Sequence, residues 1–67
     1  IELNENMHLY AAVFDINGRV VKQLINGYLQ KGNLEITFNN KGLTSGIYFI
    51  RIVGEGIQHT SKVVLLK

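Results

Sequence analysis

Gly46-Ile47-Tyr48-Phe49-Ile50-Arg51-Ile52-Val53 is built almost wholly from β-branched and aromatic residues, the side chains that fit a pleated, half-buried strand. Its period is two. Tyr48, Ile50 and Ile52 fall on one face, and Ile47, Phe49, Arg51 and Val53 on the other. Gly54-Glu55-Gly56 follows as a tight connection, and Ile57 to Lys67 returns as a second strand, alternating around His59, Ser61, Val63 and Leu65. A hairpin of this strength makes the C-terminal third of the chain β-structure.

The same reading extends upstream. His8 to Phe14 is apolar nearly throughout, as a strand covered on both faces would be. Asp15-Ile16-Asn17-Gly18 then predicts a hairpin turn, because Asn-Gly tolerates the positive φ that such turns require. The return strand is read as Arg19 to Ile25, with only partial alternation. Asn26 to Gly32, with a second Asn-Gly pair, reads as a loop. Asn33 to Phe38 alternates cleanly, with Leu34, Ile36 and Phe38 on one side and Asn33, Glu35 and Thr37 on the other. Asn39 to Gly46 is the longest turn region, within which Leu43 is placed to plug the core edge. A short strand over Ile1 to Leu3, broken by Asn4-Glu5-Asn6, completes the set.

Six short strands with turn signals between them point to an all-β, antiparallel, immunoglobulin-like sandwich in a single domain, residues 1–67. Such sandwiches usually carry seven or more strands. The expectation is therefore a domain lacking its first strand, with an apolar groove or edge left open, and a dimer, a strand exchange or a nicked upstream piece to cover it.

Composition narrows the function classes. A chain of 67 residues buries only about 60% of its unfolded surface on folding. It has no cysteine, so neither a disulfide nor a thiolate metal site is available. Seven Lys/Arg against five Asp/Glu leave a charge of +2, and the basic residues Arg19, Lys22, Lys31, Lys41, Arg51, Lys62 and Lys67 form no run, which argues against nucleic acid. The longest apolar run, Leu9 to Phe14, falls far short of the roughly 20 residues of a membrane helix. The chain opens on Ile1, so it is expected to be a processed or cut piece, and no secretory signal peptide is read in its first residues.

Each motif that suggests chemistry has a plainer explanation. His8 and His59 have no carboxylate at strand spacing, so they read as surface histidines and no metal site is expected. Asp15-Ile16-Asn17-Gly18 starts like a calcium loop, but that loop's later ligand positions hold Arg19 and Asn26. Gly54-Glu55-Gly56 leads into no helix and so is no phosphate loop. Ser61 and His59 share a strand face, but no acid completes a triad. Phe14, Phe38 and Tyr48 are assigned to the core; a sugar-stacking platform of Tyr10, Tyr28 and Tyr48 is the rival. No catalytic residue and no cofactor is expected.

Three motifs then stand in order. They are Val13-Phe14-Asp15-Ile16-Asn17-Gly18-Arg19-Val20-Val21, then Leu43-Thr44-Ser45-Gly46-Ile47-Tyr48-Phe49-Ile50-Arg51-Ile52, and finally Lys62-Val63-Val64-Leu65-Leu66-Lys67. Together they resemble the C-terminal sorting domain of type IX (Por) secretion substrates, in its type A form. That family carries D-x-x-G-[RK]-x-V, L-x-x-G-x-Y and a terminal K-[VI]-[VIL] strand. Family members usually begin with a segment containing Tyr-Pro-Asn-Pro and a first strand; this chain has no proline, so it is expected to start inside the domain.

The resemblance implies an address for transport. An N-terminally attached cargo would pass from the periplasm through the outer-membrane translocon of a Gram-negative bacterium, aided by shuttle proteins, to the cell surface or the medium. In many members a surface sortase then removes the domain. The residues carried over are Asp15, Gly18, Arg19, Gly46, Tyr48, Lys62, Val63, Val64, Leu65, Leu66 and Lys67. Independently of the family, a terminal strand of this kind suits recognition by edge addition. The alternatives are a passive immunoglobulin- or fibronectin-type spacer, or a carbohydrate-binding module, of an extracellular enzyme.

Overall fold

The computed structural model describes residues 2–67. Its elements are β1 (Glu2–Leu3), β2 (Met7–Phe14), β3 (Val20–Leu29), β4 (Gly32–Asn33), β5 (Gly46–Gly54) and β6 (Ile57–Leu65), with no helix among the described residues. All pairings are antiparallel. One sheet has the order β3-β2-β5-β6, and the other is the short pair β1-β4. The all-β expectation holds. Ile1, assigned to the first strand from sequence, lies outside the described residues.

The near-continuous apolarity of β2 follows from its place. It is flanked by β3 on one side and β5 on the other, and Leu9, Ala11, Ala12 and Val13 are fully buried. The inward row of the four-stranded sheet is Leu9, Ala11 and Val13 from β2, with Ile52 and Ile50 directly opposite Ala11 and Val13. Met7 continues this row along β2, Leu3 of β1 closes over it, and Leu34, Ile36 and Ile57 pack around it. A second cluster, Val13, Tyr48 and Leu65, is covered by Phe38 and Leu43. Leu43 thus plugs the core edge as its position in the turn suggests. Tyr48 and Ile52 are buried and Ile50 half-buried, while Ile47, Arg51 and Val53 are exposed and Phe49 half-buried, so the facing of β5 is as read.

Three sequence expectations are corrected. Asn26-Gly27 is strand rather than loop: β3 continues to Leu29, with Asn26 opposite Tyr10 and Gly27 opposite Leu9. The long partner strand β2 offers a backbone ladder there, and Gly27 does not take the positive φ that would reverse the chain. Asn33 to Phe38 is not a full strand, since only Gly32–Asn33 is laddered, against Glu2–Leu3. Its alternation survives as burial. Leu34, Ile36 and Phe38 are half-buried and Glu35 and Thr37 exposed, so the segment lies extended across the core as a cover. Phe14 is not in the core. It stands on the outer face, opposite Phe49.

The partial alternation of β3 has a structural cause. The β2–β3 register slips between Ala11 and Ala12 and again between Val13 and Phe14. Each irregularity inserts an extra residue and shifts the facing of those beyond it. Lys22 thereby comes opposite Val13, and its Nζ donates to the carbonyls of Asn39 (2.7 Å) and Lys41 (3.2 Å), tying the long turn to β3.

Candidate recognition end and edge

The Asp15 turn is a three-residue hairpin loop. The Gly18 N–H donates to the Asp15 carbonyl at 3.0 Å, and the Asp15 N–H to the Arg19 carbonyl at 2.9 Å. Gly18 takes φ 81°, while Asn17, like every other described non-glycine residue, keeps negative φ. This is a tight turn followed by a left-handed residue. Asp15 explains why an acid starts it: Oδ1 accepts from the N–H of Asn17 (2.9 Å) and of Arg19 (3.0 Å), and Oδ2 from Arg19 Nε at 3.1 Å. Arg19 holds this pair from just outside β3, not from within a strand.

The Arg19 N–H above all holds the Asp15 carboxyl below its ordinary value of 3.8; desolvation opposes it, and the Asn17 N–H and the Arg19 side chain add to the lowering. A carboxylate with a lowered folded-state pKa contributes its stability in full above the ordinary value, and that contribution disappears as pH falls through the lowered one. Asp15→Asn retains an Oδ1 acceptor but neither titrates nor pairs with Arg19. Thermal unfolding should therefore show a small wild-type advantage at neutral pH that vanishes in acid. Parallel curves for the two chains down to strongly acidic pH would remove Asp15 from the account.

The second motif folds as a corner. Gly46, at φ 157°, begins β5, and a Cβ there would meet nothing nearer than Tyr48 Cε2 at 4.0 Å. The backbone angle, rather than close strand approach, is what glycine supplies. Tyr48 buries its ring, and its hydroxyl donates to the Thr44 carbonyl at 2.8 Å. A buried tyrosine thus keeps its polar tip satisfied.

The third motif runs along β6 and past its end. Val63 is opposite Tyr48 and Leu65 opposite Gly46. Leu65 is buried, Val63 half-buried, and Lys62, Val64, Leu66 and Lys67 are exposed. Leu66 and Lys67 lie beyond the strand, and the Lys67 N–H donates to Ser45 Oγ at 2.9 Å.

The motifs, far apart in sequence, therefore meet at one end of the sheet. Val13 of the first, Tyr48 of the second and Leu65 of the third form one buried cluster. A cleft of about 380 Å³ above it is lined by Asp15, Ile16, Leu43, Gly46 and Tyr48. Sequence spacing shows the motifs but not this convergence, which depends on β2 and β5 being neighbours.

Among the described residues β6 is also an edge, pairing with β5 alone. Glu55-Gly56 joins Gly54 directly opposite Ile57, and a two-residue loop closes on a hydrogen-bonded pair. Alternation along an antiparallel ladder then turns the backbone groups of Gln58, Thr60, Lys62 and Val64 outward. Beside this edge runs a groove of about 790 Å³, floored by Ile50 and Ile52 and walled by Leu34, Ile36 and Phe38. An open apolar groove is what the strand count suggests.

The rival sites do not assemble. Ser61 Oγ and His59 Nε2 are 3.1 Å apart, and among the described residues no carboxylate shares their hydrogen bonds. No three His, Asp or Glu side chains converge among the described residues. Tyr48 is on the inner face, and Tyr10 and Tyr28 on the outer, so no three-tyrosine platform forms.

Nothing among the curated proteins or the solved structures matches the chain. A family model, the secretion system C-terminal sorting domain, matches residues 1–66. The motifs, their convergence and this near-complete match lead to one assignment: the chain belongs to the secretion system C-terminal sorting domain family, the sorting signals of type IX export to the surface or surroundings of Gram-negative bacteria.

Proposed function

We propose that this domain is read by the type IX outer-membrane translocon through the free edge of β6 and the end of the sheet where the three motifs meet. A cargo joined to its N-terminal side crosses the periplasm, with shuttle proteins, and leaves the cell. The observation that carries this reading is the convergence of Asp15, Gly46, Tyr48 and Leu65 on the end where Ser45 holds the Lys67 backbone. Edge addition suits such a task. Outward backbone groups supply affinity that does not depend on the cargo, and the side chains of Lys62 and Val64 beside them supply selectivity. Cleavage by a surface sortase would follow export, and dimerisation or strand exchange would cover the open apolar groove beside β6.

A folded reporter fused ahead of this domain tests the reading in a bacterium with a type IX system. The intact fusion should reach the surface or medium, and one lacking Leu65-Leu66-Lys67 should stay in the periplasm. Equal export of both would refute a read terminus. Retention of both, with the domain folded, would favour a passive spacer.

A further inference from the structure

The outward face of the four-stranded sheet has a composition that the fold alone does not require. Register places His8, Tyr10, Ala12 and Phe14 of β2 on it, with Val20, Gln23, Asn26 and Tyr28 opposite them on β3. From β5 come Ile47, Phe49, Arg51 and Val53, and from β6 Gln58, Thr60, Lys62 and Val64. Most of the exposed large hydrophobic side chains of the described residues gather here: Val20, Tyr28, Ile47, Val53 and Val64. None of these face positions is acidic. Arg51 and Lys62 stand diagonally across β5 and β6, since Arg51 is opposite Thr60 and Phe49 opposite Lys62. Diagonal neighbours are roughly 7–8 Å apart, and neither cation has an ion pair among the described residues, where Arg19–Asp15 is the ion pair formed. A cleft of about 360 Å³ opens between Arg51 and the turn, lined by Phe14, Phe49, Arg51 and Thr60 together with Asp15, Ile16 and Gly18.

We propose that this face docks an acidic protein segment, with carboxylates meeting Arg51 and Lys62 and apolar side chains meeting Phe14, Phe49 and Val53. Charge complementarity selects the sign: two like charges lie side by side, the one carboxylate lining the cleft, Asp15, is engaged by Arg19, and an anionic partner removes the repulsion between Arg51 and Lys62. The aromatic and aliphatic surroundings select a polypeptide over a polysaccharide. Aromatic residues and arginine surrounded by apolar area are the usual composition of a protein-binding centre. A second copy of this chain is disfavoured, because a two-fold pairing of the face sets cation against cation. Four strands at ~4.8 Å and about eight residues at ~3.4 Å give roughly 500 Å² of flat sheet. That is below the ~800 Å² per partner of a standard stable interface, so the encounter is transient. The surface meets the β6 edge at Lys62 and Val64 but extends across β2, β3 and β5, where it uses outer-face side chains, whereas the edge is read chiefly through its outward backbone groups.

The probe is a random Glu/Tyr copolymer, with a Lys/Tyr copolymer and polygalacturonate for comparison, added to the isotopically labelled chain and followed by amide chemical shifts. The expected result is weak, salt-sensitive binding of the Glu/Tyr polymer, with shifts concentrated on Ala12, Phe14, Phe49, Arg51, Thr60 and Lys62. The Arg51→Glu/Lys62→Glu variant should bind at least tenfold more weakly while keeping its amide spectrum dispersed. Arg51→Gln/Lys62→Gln, which removes charge without adding any, should fall between. Shifts spread evenly over Lys22, Lys31, Lys41 and Lys67, or undiminished binding by the folded charge-reversed chain, would overturn the proposal. So would polygalacturonate binding as tightly as the Glu/Tyr polymer, which would make the ligand an anionic glycan. None of these readouts depends on export, so they stand or fall apart from the sorting reading.

Discussion

Leu9→Ala should cost roughly 2–5 kcal/mol, the range for truncating a buried leucine. Leu9 is 0% exposed and is among the largest fully buried side chains, at the centre of the cluster joining Leu3, Met7, Ala11 and Ile52. The consequence is magnified by size. At ~0.05–0.15 kcal/mol per residue, a 67-residue domain has about 3–10 kcal/mol in total. With about 4–8 °C per kcal/mol for domains this small, Tm should fall by at least ~8 °C, and much of the population should be unfolded at growth temperature. Leu66→Ala is the counterpart: Leu66 is 86% exposed, and its loss should leave Tm within a degree or two. Similar Tm values for the two variants would mean that the core is not where the inward row places it.

Gly54→Val should be the second severe substitution. A Cβ at Gly54 would sit 2.9 Å from Leu9 Cδ1, 3.1 Å from Met7 Sδ and 3.3 Å from the His8 carbonyl. The first two neighbours belong to the packed core and cannot withdraw freely, and the third is backbone. Overpacking costs about 1–3 kcal/mol, and valine's further methyl groups place this variant at the upper end. Gly27→Ala makes the internal comparison, since its Cβ would meet nothing within 4 Å. Its backbone takes no positive φ, so it should be neutral or stabilising by about 0.4–1 kcal/mol through the unfolded chain. Urea unfolding of both separates close approach from a general need for glycine.

How much of this was legible before the structure depended on whether a signal was local. The β5–β6 hairpin was readable because alternation and a Gly-x-Gly connection are properties of adjacent residues, and the Asp15 turn because its acid, asparagine and glycine are consecutive. The second Asn-Gly pair misled for the same reason: whether Asn26-Gly27 turns or extends is decided by β2 across the ladder. Asn33 to Phe38 shows the reverse. Its alternation correctly reported which side chains are buried, but not whether its backbone joins a ladder. Phe14 was misplaced because β2 is apolar on both faces, so hydrophobicity alone could not tell inward from outward. At the recognition end the motif residues were identifiable one by one. Their meeting around Val13, Tyr48 and Leu65 follows from strand order, which no local pattern encodes. The cationic outer face was invisible for the same reason, since Arg51 and Lys62 are neighbours only through the register of β5 against β6.

The central claim is that the free edge of β6 is read, and Thr60→Pro in the reporter fusion tests it most directly. Proline at position 60 removes an outward backbone N–H while sparing the inward ladder to β5, a placement that edge strands tolerate. The account predicts a domain that still unfolds cooperatively, near the wild-type temperature, while its cargo accumulates in the periplasm; Thr60→Ala exports normally. Export of the folded Thr60→Pro fusion at the wild-type level would contradict recognition through the β6 backbone.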